Sequence, residues 1–203
     1  MNRPIIISIE GPMGAGKTSL ARRLADALPG RLILEQPDEN PFLSDFYEQR
    51  GTALATELQF LLQRQAQWQQ EATEHCIISD YSIHKDEIFT PLTLTLEERK
   101  LFIQIRSAMH YAPKPADLLI FMDAPLPILL ERIHARGSLY ESALRYDYLE
   151  QVQSAYHHWR MHYTQPCLDI DSSQVDFVHD PRHNEMLIKM IRYHLQAIEE
   201  RNA

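Results

Sequence analysis

The sequence is poor in cysteine and has no long apolar run. Its 203 residues include two cysteines, Cys76 and Cys167, each at the start of a short apolar run. Two thiols argue against a disulfide framework or a metal site, so we expect both to be free in a reducing cytoplasm. No apolar stretch approaches the roughly 18–20 residues that span a bilayer. We interpret the N-terminal run as a strand and not as a signal peptide, because it reaches Glu10 after a few residues.

Positive charge is also scarce. The chain has 20 Lys and Arg residues against 28 Asp and Glu, which gives a net charge of −8. Nucleic-acid binding rests on a broad basic surface, so this balance argues against a nucleic-acid partner. A hydrophobic content of 44% and a charged content of 24% are typical of a soluble globular protein with a core. The length fits one α/β domain over residues 1–203.

Residues 11–18 match the phosphate-loop motif G-x-x-x-x-G-K-[ST]. The motif follows a β-branched apolar run and precedes a helical pattern, which is the context that it requires. Its glycines let backbone N–H groups surround a phosphate, and the next helix points its positive end at the same anion. Lys17 would reach the β- and γ-phosphates of ATP, and the Thr18 hydroxyl would bind Mg²⁺. A glycine-rich turn without a ligand is the alternative. The predicted nucleotide-binding residues are Gly11, Pro12, Met13, Gly14, Ala15, Gly16, Lys17, Thr18 and Ser19.

Five short apolar runs predict the fold class. They cover residues 5–9, 32–34, 76–79, 118–122 and 167–170. Runs without polar alternation suit strands that are buried on both faces, as in a parallel sheet. Longer helical patterns separate or follow them, near residues 53–73, 96–111, 125–136, 145–164 and 183–200. The sequence therefore predicts an α/β fold, a P-loop three-layer sandwich with a five-stranded parallel sheet flanked by helices, and a ligand site beyond the carboxyl ends of the strands.

Two carboxylates follow predicted strands and suit phosphoryl transfer. Glu35 follows the second strand, where it could accept the proton of a hydroxyl that attacks the γ-phosphate. Asp80 follows the third strand, in the arrangement that holds Mg²⁺ in phosphate-loop enzymes. A surface glutamate and an aspartate in a turn are the alternatives. The phosphate loop favours the functional interpretation, with Thr18 and Asp80 as the metal site.

A helical stripe between those strands mixes polar and aromatic side chains. Glu57, Phe60 or Leu61, and Arg64 share one face by their spacing. A carboxylate, a ring and a guanidinium together suit a pocket that holds a planar base. The alternative is an arginine that extends from a core stripe beside a surface glutamate.

Two arginines lie four residues apart at the end of a later helix. Arg132 and Arg136 therefore share one face, where they could stabilise charge on a transferred phosphoryl group. Compensation of the helix dipole at its carboxyl end, before Gly137, is the alternative. After about residue 165 we expect a strand and a closing helix without catalytic residues.

Several further segments occur in an order that is typical of one protein family. They are Asn40-Pro41-Phe42-Leu43, Phe46-Tyr47, Gln59-Phe60-Leu61-Leu62-Gln63-Arg64, Ser79-Asp80-Tyr81-Ser82-Ile83-His84-Lys85-Asp86-Glu87-Ile88-Phe89, Arg132-Ile133-His134-Ala135-Arg136-Gly137-Ser138-Leu139-Tyr140-Glu141 and Tyr148-Leu149-Glu150. With the phosphate loop and Glu35, they resemble the deoxynucleoside kinase family, and most of all its bacterial deoxyadenosine/deoxyguanosine kinases. The resemblance extends in order from residue 5 to about residue 160.

The resemblance implies substrate-binding roles. Glu35 matches the general base on the nucleoside 5′-hydroxyl. Tyr47 and Glu141 match the pair that holds the sugar 3′-hydroxyl. Arg64 and Asp86 match the polar pair that faces the base, and Glu57 occupies a position that is usually Gln.

The resemblance also implies the residues around the phosphates. Asp80 matches the acidic residue near Mg²⁺, and Arg132 and Arg136 match arginines of a lid near residues 132–141. Tyr81 stands where the family usually has Arg, so one cation near the 5′-hydroxyl and the phosphates is expected to be missing. Ser138 replaces a further lid Arg of some relatives.

These observations predict a cytoplasmic salvage kinase. We expect it to transfer a phosphoryl group from ATP-Mg²⁺ to the 5′-hydroxyl of a 2′-deoxynucleoside. A charged Arg64–Asp86 pair can both donate to and accept from a base edge, which favours deoxyadenosine or deoxyguanosine, with deoxycytidine second. The resemblance implies a homodimer, and we expect neither a nucleic-acid nor a membrane partner.

Two other functions are compatible with a phosphate loop. A nucleoside monophosphate kinase would need more basic residues for the phosphate of its acceptor than Arg50 and Arg64, the two available between residues 35 and 65. A regulatory nucleotide-binding module without catalytic activity is the second alternative, and Tyr81 is the feature in its favour.

Overall fold

A parallel sheet organises the chain. The structure is a computed structural model that describes residues 3–69, 75–109, 114–138, 141 and 143–202. Its strands are β1 Ile5–Glu10, β2 Gly30–Ile33, β3 Cys76–Ser79, β4 Leu118–Asp123 and β5 Cys167–Asp171. All neighbours pair in parallel, in the order β2-β3-β1-β4-β5. This arrangement confirms the predicted fold class, although β2 begins and ends earlier than the predicted run 32–34.

Eight α-helices surround the sheet in the described residues. They are α1 Lys17–Ala27, α2 Leu43–Tyr47, α3 Ala53–Trp68, α4 Lys85–Thr93, α5 Leu96–Ala108, α6 Leu126–Arg136, α7 Tyr146–His162 and α8 Pro181–Asn202, with a short 3-10 helix at Pro37–Glu39. The sequence pattern missed α2 and α4. The first has five residues, and the second contains Pro91, so neither shows a long periodic stripe. The predicted continuations over residues 70–73 and 110–111 lie outside the described residues.

Alternate residues of β1 pack into different layers. Ile5, Ile7 and Ile9 belong to one apolar cluster with side chains of α1, α6 and α8, whereas Ile6 packs on the opposite face with Ile33. Every residue of β1 is buried because the strand lies between β3 and β4 and is covered on both faces. The central strand thus positions the phosphate loop that follows it.

The residues after β2 and β3 are joined by hydrogen bonds. The backbone N–H of Asp80 donates to the carbonyl oxygen of Ile33 at 3.2 Å. The backbone N–H of Glu35 donates to Oδ1 of Asp80 at 2.8 Å. Parallel strands end at the same edge of a sheet, so both carboxylates lie beside the phosphate loop.

Neither cysteine forms a disulfide. Cys76 is buried, Cys167 is partly exposed, and both are free. Among the described helices, none has the length and the apolar character needed to cross a membrane.

Candidate active site

A cavity of about 740 Å³ opens beside the carboxyl ends of β1, β2 and β3. Most of the predicted site residues line it: Met13, Gly14, Ala15, Gly16, Lys17, Thr18, Ser19, Glu35, Tyr47, Glu57, Arg64, Asp80, Arg132, Arg136 and Glu141. Three others, Gly11, Pro12 and Asp86, lie outside its wall. The fold therefore brings residues that are far apart in the sequence to one space.

Glycine is required in the phosphate loop by close backbone approaches. Gly11 has φ 143°, and a Cβ there would lie 1.9 Å from the carbonyl oxygen of Met122. Gly14 has φ 82°, and its Cβ would lie 2.5 Å from the carbonyl oxygen of Leu129. No Cβ can lie this close to a carbonyl oxygen, so both positions require glycine. Gly11 lies outside the cavity wall and therefore shapes the loop without lining the cavity.

Lys17 lies inside the loop. Its Nζ donates to the carbonyl oxygen of Pro12 at 2.9 Å. Burial, followed by repulsion from Lys85, lowers the pKa of Lys17 to about 8. The Lys17 ammonium is therefore mostly charged at neutral pH. Its positive charge would attract an anion that entered the loop.

Thr18 and Asp80 together offer oxygen ligands that suit Mg²⁺. Thr18 Oγ1 donates to Oδ2 of Asp80 at 2.6 Å. Burial raises the pKa of Asp80 despite the hydrogen bonds from Thr18 and the Glu35 backbone. Magnesium prefers hard oxygen ligands and commonly uses one or two protein groups together with substrate phosphates. A hydroxyl and a carboxylate in contact at the end of the phosphate loop satisfy that preference.

Glu35 is held between two cations. Its Oε1 accepts from Nη1 of Arg64 at 3.2 Å, and its Oε2 lies 3.3 Å from Nζ of Lys85. Burial alone would raise the pKa of Glu35, but Lys85, Arg64 and Lys17 outweigh it and hold the pKa below its ordinary value. The carboxylate is therefore ionised at neutral pH and able to accept a proton.

Lys85 was missed by the sequence analysis. The resemblance implies an arginine at position 81, where this chain has Tyr81, so a cation was expected to be missing here. Tyr81 is fully buried, and its hydroxyl donates to Oε1 of Gln67 at 2.5 Å, outside the cavity wall. Lys85 instead lines the cavity and supplies a positive charge beside Glu35. Position 81 thus supplies no cation to the cavity, and Lys85, the first residue of α4, supplies a positive charge from another position.

Arg64 and Asp86 form a buried pair, but they do not both face the cavity. Nη2 of Arg64 donates to Oδ1 of Asp86 at 2.5 Å, and Nε of Arg106 lies 3.2 Å from Oδ2. Asp86 therefore holds Arg64 from behind, and Arg64 alone of the pair reaches the wall. That the pair faces a bound base stays a prediction.

Glu57 lies on the same wall as Arg64. The side chain is buried, and its Oε1 accepts from Thr93 Oγ1 at 2.9 Å. Burial, opposed by Arg64 and by the Thr93 hydrogen bond, raises the pKa of Glu57 to about 7. This carboxyl thus changes its ionisation near neutral pH, a property that the stripe in the sequence did not indicate.

Tyr47 and Glu141 line the cavity with different partners. The Tyr47 hydroxyl donates to Sδ of Met13 at 3.4 Å, and its ring packs edge-on against that of Tyr148. Glu141 forms a short ion pair with Arg136. Burial raises the pKa of Glu141 against the effect of Arg136. Both candidate sugar-binding groups thus lie on the cavity wall, where Glu141 is paired with Arg136. In the predicted lid, Leu139 and Tyr140 lie outside the described residues.

The segment after β5 lines part of the cavity, although the sequence showed no motif there. Nη1 of Arg132 donates to Oγ of Ser172 at 2.8 Å, and Nη2 donates to its carbonyl oxygen at 2.8 Å. Residues of this segment also line the cavity: Ser172, Ser173, Val175, Asp176, Phe177, Val178 and His179. They lack a recognisable motif, and only the position of β5 beside β4 brings them to the phosphate loop.

Known proteins match this chain over most of its length. The family model described as deoxynucleoside kinase matches residues 7–196. A deoxyguanosine kinase of Bacillus subtilis is 35% identical over 164 residues, covering 77% of this chain and 78% of that protein. A deoxyadenosine kinase of Lactobacillus acidophilus is 30% identical over 211 residues, covering 95% of this chain and 97% of that protein. Among solved structures, deoxyadenosine kinase from M. mycoides with the products dCMP and dCDP has a TM-score of 0.79 at 21% identity, covering 96% of this chain and 100% of that chain. The last match supports the fold.

Proposed function

The chain belongs to the deoxynucleoside kinase family, and on that premise we propose that it phosphorylates the 5′-hydroxyl of a deoxypurine nucleoside with ATP. The observation that carries this proposal is the position of Glu35. Its carboxylate is ionised and lines the same cavity as the phosphate loop. A base and a phosphate site that share one space can bring a hydroxyl and a γ-phosphoryl group together.

The reaction is a direct transfer. The 5′-oxygen forms a bond to the γ-phosphorus as its proton passes to Glu35, and the bond to the β–γ bridging oxygen breaks to release ADP. Lys17, Arg132 and Arg136 line the same cavity and offset negative charge on the phosphoryl oxygens. Arg132 would have to share its donors between Ser172 and the phosphates.

Thr18 and Asp80 would hold Mg²⁺ at the end of the phosphate loop. When bound, the ion neutralises charge on the β- and γ-phosphates. The two side chains already contact each other, so they form a preorganised pair of oxygen ligands. Replacement of Asp80 by Asn would remove one charged ligand and raise the Mg²⁺ concentration needed for activity.

The base would lie along α3. Arg64 offers donors, Glu57 offers a carboxyl group, and the ring of Phe60 lines the same wall. A purine presents both donors and acceptors on its edge, which such a wall can satisfy. The two bacterial relatives named above act on deoxyguanosine and deoxyadenosine, in keeping with a purine preference. Deoxycytidine is the second candidate.

The acceptor side of the site argues against a nucleoside monophosphate kinase. Arg50 is exposed and paired with Asp45 and Glu48, away from the cavity wall. Arg64 lies between the carboxylates of Glu35 and Asp86, whose negative charges repel a phosphate group. Neither arginine is therefore placed to bind the phosphate of a monophosphate acceptor.

The test is product formation from a panel of acceptors. The purified chain is incubated with ATP-Mg²⁺ and, separately, each deoxynucleoside and each deoxynucleoside monophosphate. We expect ADP and dGMP or dAMP in equal amounts from the deoxypurines, less product from deoxycytidine, and none from the monophosphates. Diphosphate formation would indicate a monophosphate kinase, and ATP binding without transfer would indicate a regulatory module.

We also propose a homodimer and a cytoplasmic location. Exposed apolar side chains on α5 support the dimer: Leu96 is 73%, Leu101 44% and Ile103 52% exposed. Light scattering should give twice the chain mass of 23.7 kDa, and charged substitutions at Leu101 and Ile103 should halve the measured mass.

The free thiols support a reducing compartment. A single domain over residues 1–203 and a lid near 132–141 remain predictions.

A further inference from the structure

Lys85 is a buried cation in a wall of the catalytic cavity. It begins α4 and is 8% exposed. Its Nζ lies 3.3 Å from Oε2 of Glu35 and 5.1 Å from the centre of the Phe89 ring. Burying a lysine is costly unless the charge has a partner. Glu35 is that partner, so the ion pair offsets the cost of burying Lys85 in the cavity wall.

Two buried carboxylates near Lys85, Glu10 and Asp80, have hydrogen-bond donors of their own. Both oxygens of Glu10 accept hydrogen bonds, from the backbone N–H of Ser82 at 2.7 Å and from the Tyr156 hydroxyl at 2.9 Å. Both oxygens of Asp80 accept as well, from Thr18 and from the backbone of Glu35. Glu35 is the one carboxylate within ion-pair distance of Lys85 in the described part of the chain.

Charge neutralisation alone does not explain Lys85. Glu35 already has a counter-ion in Arg64, which binds its other oxygen. The two cations come from different helices, α3 and α4, and hold one carboxylate oxygen each. A carboxylate fixed at both oxygens cannot rotate freely, yet each oxygen keeps a second lone pair that can accept a proton. The arrangement therefore orients Glu35 without blocking it.

We propose that Lys85 is a positioning residue for phosphoryl transfer, acting through Glu35 by fixing the carboxylate that accepts the proton of the 5′-hydroxyl. This inference rests on the proposed function. The ammonium keeps its own protons throughout; the transferred proton goes from the 5′-oxygen to Glu35. Arg64 is the second anchor; Asp86 holds Arg64 in place and is itself paired with Arg106.

The test compares Lys85→Met, Lys85→Arg and the matched control Lys189→Met. Lys189 is exposed on α8, away from the cavity, so its loss removes the same charge without touching the site. We expect K85M to lower kcat by about 10- to 100-fold, the scale of a misplaced catalytic group, with KM values close to those of the wild type. K85R should recover most of the loss, and K189M should show none. Thermal unfolding and ATP binding confirm that each variant is folded.

A double-mutant cycle with Glu35→Gln separates positioning from a structural role. If Lys85 acts through Glu35, K85M lowers the single-turnover rate in the wild type but not in the E35Q background. Equal losses in both backgrounds, a loss confined to KM, or failure of K85R to improve on K85M would overturn the inference. A wild-type chain that phosphorylates none of the deoxynucleosides would overturn the proposed function and this inference with it. If the wild type turns over normally, a negative result with the Lys85 variants overturns the inference about Lys85 and leaves the proposed function standing.

Discussion

Glu57 is the residue whose ionisation should report which base is bound. Its pKa lies at about 7 because the side chain is buried. An ionised carboxylate only accepts hydrogen bonds, which suits the N1–H and amino group of guanine, whereas a protonated one can also donate to N1 of adenine. The same side chain therefore favours different purines on the two sides of neutrality.

This property predicts a pH-dependent KM. Between about pH 6 and about pH 8.5, KM for deoxyguanosine should fall by about tenfold, and KM for deoxyadenosine should rise. Glu57→Gln cannot ionise, so both dependences should flatten. Steady-state kinetics across the range measure this. An E57Q enzyme that kept the wild-type pH dependence of KM would show that another group is responsible.

The raised pKa of Glu57 also has a consequence for stability. A carboxyl that binds its proton more tightly in the folded than in the unfolded state stabilises the fold fully below its unfolded pKa of about 4.5 and loses that contribution as pH rises through about 7. At pH 8, E57Q should therefore be more stable than the wild type by on the order of 3 kcal/mol, and the difference should vanish near pH 4. Urea unfolding at the two pH values measures the difference, and equal stability at both would contradict it.

At the scale of elements, the turn between β1 and α1 depends on backbone that only glycine supplies. Gly14→Ala would force a side chain into the Leu129 carbonyl in a left-handed conformation. We expect G14A to weaken ATP binding by about tenfold or more, equivalent to about 1.4 kcal/mol, because the loop must open. Calorimetric titration with ATP provides the measurement.

Gly137 at the end of α6 is the matched control for Gly14. It also has a left-handed backbone, with φ 65°, but a Cβ there would meet nothing within 4 Å. Gly137→Ala should cost about 1 kcal/mol of unfolding free energy from backbone strain and leave ATP binding unchanged. If both variants lost ATP binding equally, left-handed strain and not the close approach would be the cause.

The sequence predicted those elements that have a clear local pattern of residues. The buried runs predicted all five strands, and the phosphate loop, Glu35 and Asp80 follow strand ends, where topology alone places ligands. Helix α4 was missed because Pro91 interrupts its pattern, and Lys85 was missed with it. The contact of Arg132 with Ser172 spans 40 residues and depends on the pairing of β4 with β5. No short window of sequence contains that information.

At the scale of the whole molecule, one buried hydrogen bond joins the sheet to the helical layer. The hydroxyl of Tyr156 on α7 donates to Oε2 of Glu10 at the end of β1, at 2.9 Å, and both side chains are fully buried. Tyr156→Phe would leave that oxygen without this donor. We expect a loss of about 1–3 kcal/mol in the free energy of unfolding, the cost of an unsatisfied buried group.

Chemical denaturation of Y156F measures that loss. Tyr193→Phe on α8 is the control, because Tyr193 is 72% exposed and should change stability by less than about 0.5 kcal/mol. Equal stability of Y156F and the wild type would show that this hydrogen bond makes no net contribution to the free energy of unfolding.

Single-turnover transfer of the γ-phosphoryl group from ATP to deoxyguanosine, in the wild type and in Glu35→Gln, tests whether Glu35 is the base that accepts the proton of the 5′-hydroxyl. The substitution keeps the size of the side chain and removes its ability to accept the proton. With ATP labelled in its γ-phosphate, we expect labelled dGMP from the wild type and a transfer rate slower by about 10²–10⁴-fold in E35Q, with ATP affinity preserved. An E35Q enzyme that transferred the phosphoryl group at the wild-type rate would contradict the assignment of Glu35 as the base on which the mechanism depends.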